Sequence, residues 1–314
     1  MTDTLSPHGY GRATLHARRR RRRAPFAAAL VAAIAATVAA GVYYLRDDKD
    51  RAYLSTKGWP VRGQGAYQLG DQRAAASPGE QPVPIASLAK VMTAYVLLQH
   101  YPLHDGELGR RFVVRSRDVA DTAARRAQDQ SVVDVRAGER ITERASLMAL
   151  LLPSANNIAV LMAREVSGSV AAFVAEMNET AHAIGMTDTT YSDPSGYDEQ
   201  TVSTAVDQLR LAELVADNPA LSAMMATRSY SLPVAGRVQN TNELLGQDGF
   251  VGMKTGSDDA AGGCFMFESW RHLNTGNVAL IGVVLGQRGH NLITAGLYAA
   301  KQLVNRVAPQ PATP

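Results

Sequence analysis

Three runs after Gly236, "FVGMKTGS", "GGCFMFES" and "VALIGVVLG", read as successive strands joined by Gly-rich turns. A further short strand is predicted at Gly65 to Asp71, and a last helix over about Leu292 to Val307. Between these ends the chain is mostly helical. Leu88, Val91, Met92 and Tyr95 recur at i, i+3, i+4 and i+7 and make one apolar stripe on a helix starting near Ser87. A second helix begins at Thr142 and Glu143 and runs to Leu152, where Pro153 stops it. Residues 157–166, 171–184 and 204–216 continue the helical pattern, whereas Ala74 to Pro84, with three prolines, reads as a loop. Strands near both ends around a helical middle constrain the fold to an α/β layer split by an inserted all-helical layer. A crevice between two such layers is a usual place for a substrate.

The formal charge of +3 is unevenly placed, because residues 1–23 hold seven Arg against one Asp, a net +6 that leaves the remainder at −3. A nucleic-acid face is therefore not expected: outside the tail there is no comparable basic cluster. Arg18 to Arg23 is an unbroken cationic run, and Phe26 to Leu45 adds twenty residues without a charge. That length suits a bilayer core. The cations on its N-terminal side predict a cytoplasmic N-terminus and export of everything after Arg46. The expected organisation is a basic cytoplasmic tail at 1–23, a transmembrane signal anchor at 24–45 and a linker at 46–60. A catalytic domain at 61–307 follows, with its helical subdomain at about 112–216, and then a disordered, Pro-rich tail at 308–314. Ala39, Ala40 and Gly41 leave cleavage and secretion open as the alternative. The single Cys264 excludes an intrachain disulfide and, lying in an apolar strand, is expected to be buried.

Cation usage singles out the chemistry. Arg occurs 27 times and Lys only five, at 49, 57, 90, 254 and 301. A guanidinium keeps its proton, whereas a buried ammonium can be tuned to act as a base. Lys90 stands three residues after Ser87, on the same helical face, so its amine can take the Ser87 proton. Lys254, Thr255 and Gly256 put a cation, a hydroxyl and a close-approach backbone at a strand end, a set suited to a carboxylate. Ser154-Ala155-Asn156 follows Pro153 and projects a hydroxyl and an amide that can bond Ser87, Lys90 and the substrate. Each motif alone has an ordinary reading as a helical pair, an N-cap or a strand end. Their joint occurrence, in this order and each in a suitable context, points to one site.

With "PIASLAKVMTAY", "LLLPSANNIA", "YSDPSGYD" and "VGMKTGSDDAAGGC", the chain resembles the serine penicillin-recognising enzymes over about residues 60–305. It is most similar to the low-molecular-mass D-alanyl-D-alanine carboxypeptidases. The resemblance implies a penicillin-binding-protein/beta-lactamase-like transpeptidase fold, an antiparallel sheet flanked by helices with an inserted helical subdomain. It implies Ser87 as nucleophile, Lys90 as general base and Ser154 as proton relay, with Asn156 holding the substrate. Lys254 would supply positive potential and Thr255 would bind the terminal carboxylate, with Gly256 beside it. The N–H groups of Ser87 and Ser257 would form the oxyanion hole, typically ~2.7–4 kcal/mol per donor. The implied partners are a peptidoglycan stem peptide ending in D-Ala-D-Ala and, covalently, beta-lactam antibiotics. The β-rich C-terminal domain and C-terminal anchor common in the family are expected to be absent, and the hairpin before Pro84 to be short.

Two other readings stand beside this one. A class A-like beta-lactamase would need a carboxylate between the second and third motifs to drive deacylating water, and Glu199 is the nearest candidate. A catalytically weak penicillin sensor or scaffold would need a signalling domain that the short basic tail does not offer. His100, His104, His182, His272 and His290 show no metal-ligand spacing, so neither metal nor organic cofactor is expected. Asp193 and Asp198 bracket Pro194-Ser195-Gly196, which reads as a turn with no chemistry of its own; the resemblance implies that it borders the site.

Overall fold

The computed structural model describes residues 55, 57–104 and 106–314, so the predicted basic tail, the transmembrane anchor at 24–45 and most of the linker lie outside the described residues. The chain runs through β1 (Gln64–Leu69), β2 (Ala75–Ala76), β3 (Val83–Pro84), a 3-10 turn at Ala86–Leu88 and α1 (Ala89–His100). The helical middle comprises β4 (Arg111–Val113), α2 (Ser116–Arg126), β5 (Arg140–Thr142), α3 (Glu143–Leu151), α4 (Asn156–Ser167), α5 (Val170–Ala183), β6 (Val202–Ser203), α6 (Ala205–Ala216) and α7 (Pro219–Met225). A hairpin of β7 (Ser229–Leu232) and β8 (Gly236–Gln239) leads to β9 (Phe250–Asp258), β10 (Gly262–Leu273), β11 (Gly276–Gln287) and α8 (Leu292–Val307).

Five strands form an antiparallel sheet in the order β2-β1-β11-β10-β9, so the first long strand closes against the last one, with Gln64 opposite Leu285. Side-chain alternation gives the sheet two apolar faces. Phe250, Phe265 and Phe267 form a ring cluster, with centroids 5.6–6.2 Å apart, and share a core with Leu303 and Val304 of α8. Cys264 and Met266 point the other way, into the core that also holds α1, α3, α4 and α6. Each buried Phe contributes roughly 1.5–3 kcal/mol of transfer free energy, which favours the strand register that puts all three on one face.

The local signals explain most boundaries. Thr142 caps α3 by accepting from Ala145 N, at a typical value of ~1 kcal/mol. Gly168 ends α4 in the left-handed region, where a side chain is costly. Thr204 and Asn291 cap α6 and α8 in the same manner as Thr142. The α1 stripe is too narrow a description: Leu88, Val91 and Met92 are buried, Tyr95 only partly, and Lys90, Thr93 and Ala94 are buried as well. α1 is a central helix enclosed on all sides, and that is what desolvates Lys90.

Several expectations are corrected. Ala74 to Pro84 is not all loop, since β2 pairs with β1 and Val83 of β3 pairs with Ser203 of β6. The helices α2 and α7 and the strand β7 go unpredicted, α2 despite an amphipathic face, an acidic first turn and a basic last turn. Residues 308–314 do not hang free. His272 N donates to the Gln310 carbonyl, Ala312 N donates to the Trp270 carbonyl, and Arg271 bridges to Pro311. The end of β10 extends past the first residue of β9, and the tail takes up the edge left open there.

Candidate active site

Ser87 lies in the 3-10 turn before α1, half-buried, and the turn is entered through Ala86 at φ +45. The left-handed region costs a non-glycine residue roughly 1–2 kcal/mol. Asp129 (φ +55), which lines the cleft with Ser87, and Ser154 (φ +64), two residues before the cleft-lining Asn156, carry the same strain. Strain of this kind concentrates where surrounding contacts hold a functional geometry in place.

Lys90 is completely buried, and its Nζ lies 2.7 Å from Ser87 Oγ. Burial pushes its ammonium well below the ordinary lysine range; the charge of Lys254 pushes the same way, and Asp193 opposes both. An amine so placed is neutral over a wider pH range and can accept the Ser87 proton. Nζ also donates to the Ser195 carbonyl at 2.8 Å, and Thr93 Oγ1, one turn further along α1, donates to the Pro194 carbonyl at 2.6 Å. The 193–197 turn therefore orients the base. Its own shape comes from the Asp193 carboxylate, which accepts from Ser195 N, Gly196 N, Tyr197 N and the hydroxyls of Ser195 and Thr201.

The second motif departs from expectation. Ser154 Oγ is buried without a hydrogen-bond partner, so it bonds neither Ser87 nor Lys90. Asn156 opens α4 and donates through Nδ2 to Gln130 Oε1 at 2.9 Å, while its Oδ1 is buried and unpartnered. The third motif lies on β9, the edge strand beside the 3-10 turn. Lys254 is 1 % exposed, donates to the Thr255 carbonyl at 2.8 Å, and is pushed down to about 7 by burial. Thr255 Oγ1 is 2.6 Å from Thr241 Oγ1. Gly256 permits the close approach: a Cβ there would meet Ser87 N at 3.0 Å and Ile85 O at 3.1 Å.

These pieces meet at a cleft of about 460 Å³ whose lining includes Ser87, Gln130, Asn156, Tyr197, Ser257 and Asp258. The structure thus brings Ser87, Lys90, Asn156, Thr255, Gly256 and Ser257 into one neighbourhood. It also adds residues that the sequence reading missed. Ser195 stands in a segment read only as a turn and Gln130 in one that carries no motif, with nothing local to show which groups their polar atoms meet. Cys264 is buried as expected, and burial pushes its thiol up to about 12. Among the described residues no group of three or more His, Cys, Asp or Glu is placed to hold a metal.

Gly196 makes the packing of the turn testable. Its φ is +75, and a Cβ would lie 1.8 Å from the Ala86 carbonyl oxygen, immediately before the serine. Gly196→Ala should displace Ser87 or the Ser195 carbonyl, and misplacement by an ångström lowers rate by roughly 10²-fold. Penicillin acylation measured beside thermal unfolding checks this: wild-type acylation in the variant would show that the contact does not position the serine.

The arrangement of sheet and helical layer is the penicillin-binding-protein transpeptidase fold. It superposes with a TM-score of 0.67 on the crystal structure of a Streptomyces DD-transpeptidase, at 23 % identity over 78 % of this chain and 96 % of that one. A D-alanyl-D-alanine carboxypeptidase from Mycobacterium tuberculosis matches with a TM-score of 0.65 and 25 % identity, covering 80 % of this chain and 93 % of that chain. The family model described as Peptidase S11, D-alanyl-D-alanine carboxypeptidase, matches residues 75–289, and the chain belongs to that family. Among curated proteins, a D-alanyl-D-alanine endopeptidase of Pseudomonas aeruginosa is 34 % identical over 197 residues, 60 % of this chain. The chain spans 59 % of that relative's length.

Proposed function

We propose that this protein is a serine-type D-alanyl-D-alanine carboxypeptidase that removes the terminal D-Ala from peptidoglycan stem peptides through an acyl-enzyme on Ser87. The observation that carries the reading is the buried Lys90 amine within hydrogen-bond reach of Ser87 Oγ at a cleft. Lys90 takes the serine proton as Oγ attacks the penultimate D-Ala carbonyl. The N–H groups of Ser87 and Ser257 receive the developing oxyanion, and Asn156 holds the peptide amide. Lys254 and Thr255 engage the terminal carboxylate. Ser154 relays the proton to the departing D-Ala amine, a role that its unpartnered hydroxyl leaves open. Water then cleaves the ester. Beta-lactams acylate the same serine, since their strained amide presents the same carbonyl and carboxylate.

Release of D-Ala from a D-Ala-D-Ala peptide tests the reading, and its pH profile tests the lysines. kcat/KM reports the free enzyme. Activity should fall on the acid side as Lys90 gains a proton. It should fall again on the alkaline side near pH 7, where the ammonium of Lys254, pushed down to about 7, loses the charge that holds the substrate carboxylate. In Lys254→Arg the alkaline limb should vanish, because a guanidinium keeps its proton. A limb unmoved in that variant would assign it to another group.

We place the catalytic domain outside the cytoplasm, tethered by the Phe26–Leu45 span behind Arg18–Arg23. The full-length protein should sediment with membranes and be open to externally added protease once the outer layers are breached. Its recovery in the soluble cytoplasmic fraction would overturn the tether.

A further inference from the structure

The wall of the cleft opposite β9 is built by a segment that leaves the end of α2. The chain passes through Asp129 at φ +55 and doubles back, so that Gln130 N donates to the Arg125 carbonyl at 3.1 Å. The same loop is closed a second time through side chains, Arg125 Nη1 donating to Gln130 Oε1 at 3.0 Å. Arg125 is itself held, its Nε donating to Asp121 at 2.7 Å. Beyond Gln130 the segment is clamped to the start of α4: Asn156 N donates to the Ser131 carbonyl at 2.7 Å, and Asn157 exchanges hydrogen bonds with both backbone groups of Val133.

This wiring carries a direction. A guanidinium can only donate, so Arg125 makes the oxygen of the Gln130 amide, and not its NH₂, the end that faces inward. Gln130 Nε2 is turned outward to Gln128 Oε1 at 2.9 Å. The inward oxygen can only accept, so Asn156 has to present its own NH₂ to it, at 2.9 Å. Carboxamides are ambiguous by half a turn when nothing fixes them. Here the ambiguity is removed at its source by a group that has no acceptor, and Asn156 Oδ1 becomes the end with no partner in the protein.

We propose that Gln130, with its carbonyl pinned by Arg125, is a positioning residue that sets which way Asn156 presents its carboxamide, and through it the cleft's selectivity for ligands with an amide beside the reacting carbonyl. The proposal rests on the acyl-transfer reading above. The side chain of Gln130 bonds Arg125, Gln128 and Asn156 rather than Ser87 or Lys90, and although it lines the cleft, the effect proposed for it runs through Asn156. Gln130→Met keeps the length and loses the acceptor; Asn156 is then free to turn over. Gln130→Glu keeps an acceptor for both Arg125 and Asn156. Arg125→Met leaves Gln130 in place but removes the group that holds its direction.

The test compares benzylpenicillin with penicillanic acid, the same bicycle with no nitrogen substituent beside the reacting carbonyl, using acylation rate constants of the full-length protein in detergent. For Gln130→Met the benzylpenicillin constant should fall about tenfold, the loss of one well-placed hydrogen bond, with less than about twofold change for the amide-free compound. Arg125→Met should move the same ratio in the same direction by a smaller factor, and Gln130→Glu should restore it. A merely structural role for Gln130 would lower both constants together and leave the ratio fixed, and that result, or an unchanged benzylpenicillin constant, overturns the proposal. Failure of the wild type to be acylated by either compound would instead overturn the acyl-transfer reading, and this inference with it.

Discussion

A labelled penicillin should attach covalently to the wild-type protein, and Ser87→Ala should remove all of the label. Among the described residues, Ser87 Oγ is the nucleophilic atom that the structure sets at the cleft with an amine 2.7 Å away. Lys90→Arg should acylate about 10²–10⁴ times more slowly, the usual worth of general-base catalysis. A thermal melt separates this loss from the disturbance that a larger cation brings to a fully buried position. The sign follows from two features. Burial pushes the lysine ammonium well below its ordinary range and so favours the neutral amine, whereas an arginine at the same place stays protonated and has no lone pair to receive the serine proton. Peptide mapping of the adduct checks the first part, and the acylation rate beside a thermal melt checks the second. A label on another serine, or a Lys90→Arg protein that reacts at the wild-type rate, would overturn the assignment.

The ability of Lys90 to act this way was only half legible in the sequence. The Ser87 to Lys90 spacing on a helix start can be read directly, and the scarcity of lysine draws attention to it. What cannot be read is the enclosure of α1 on every side, because an apolar stripe describes one face and says nothing of what covers the others. The same limit explains Ser195. "DPSG" is plainly a turn, but the carbonyl that Lys90 donates to stands 105 positions along the chain from the lysine and is held in place by Asp193 within the turn and by Thr93 on the lysine's own helix. Local periodicity fared best where an element's hydrogen bonds are internal: α8 lies at Leu292–Val307, as predicted. It fared worst for β2, β3 and the 308–314 tail, whose backbone groups are satisfied by strands remote in sequence. Ser154 is a different case. Its motif predicts bonds to Ser87 and Lys90, yet its hydroxyl is buried without a partner, so the motif did not give its contacts.

The penicilloyl adduct on Ser87 should persist for minutes or longer, while a D-Ala-D-Ala peptide is turned over repeatedly by the same protein. The contrast follows from what each acyl group leaves behind. The departing D-Ala frees its half of the cleft for water, whereas an opened beta-lactam keeps its leaving amine attached and continues to fill the space. Fast hydrolysis of such an adduct requires a general base aimed at a water on the remaining side. Asp129 and Asp259 line the cleft from turns, and among the described residues no hydrogen bond holds either carboxylate in a direction that would aim it at the ester; the other acids nearby are engaged elsewhere or lie outside the cleft. Asp193 spends its carboxylate on the 193–197 turn, and Asp258 accepts from Ala261 N in the turn between β9 and β10. Glu199 is solvent-exposed and does not line the cleft. Intact mass followed over time after a single dose of penicillin reads the adduct directly, and D-Ala release reads the turnover. Rapid disappearance of the adduct with many penicillins destroyed per enzyme, abolished in Glu199→Gln, would move this chain's chemistry to that of a beta-lactamase. It would also show that the 197–200 segment closes over the cleft during the reaction, since only then would the Glu199 carboxylate come within reach of the ester.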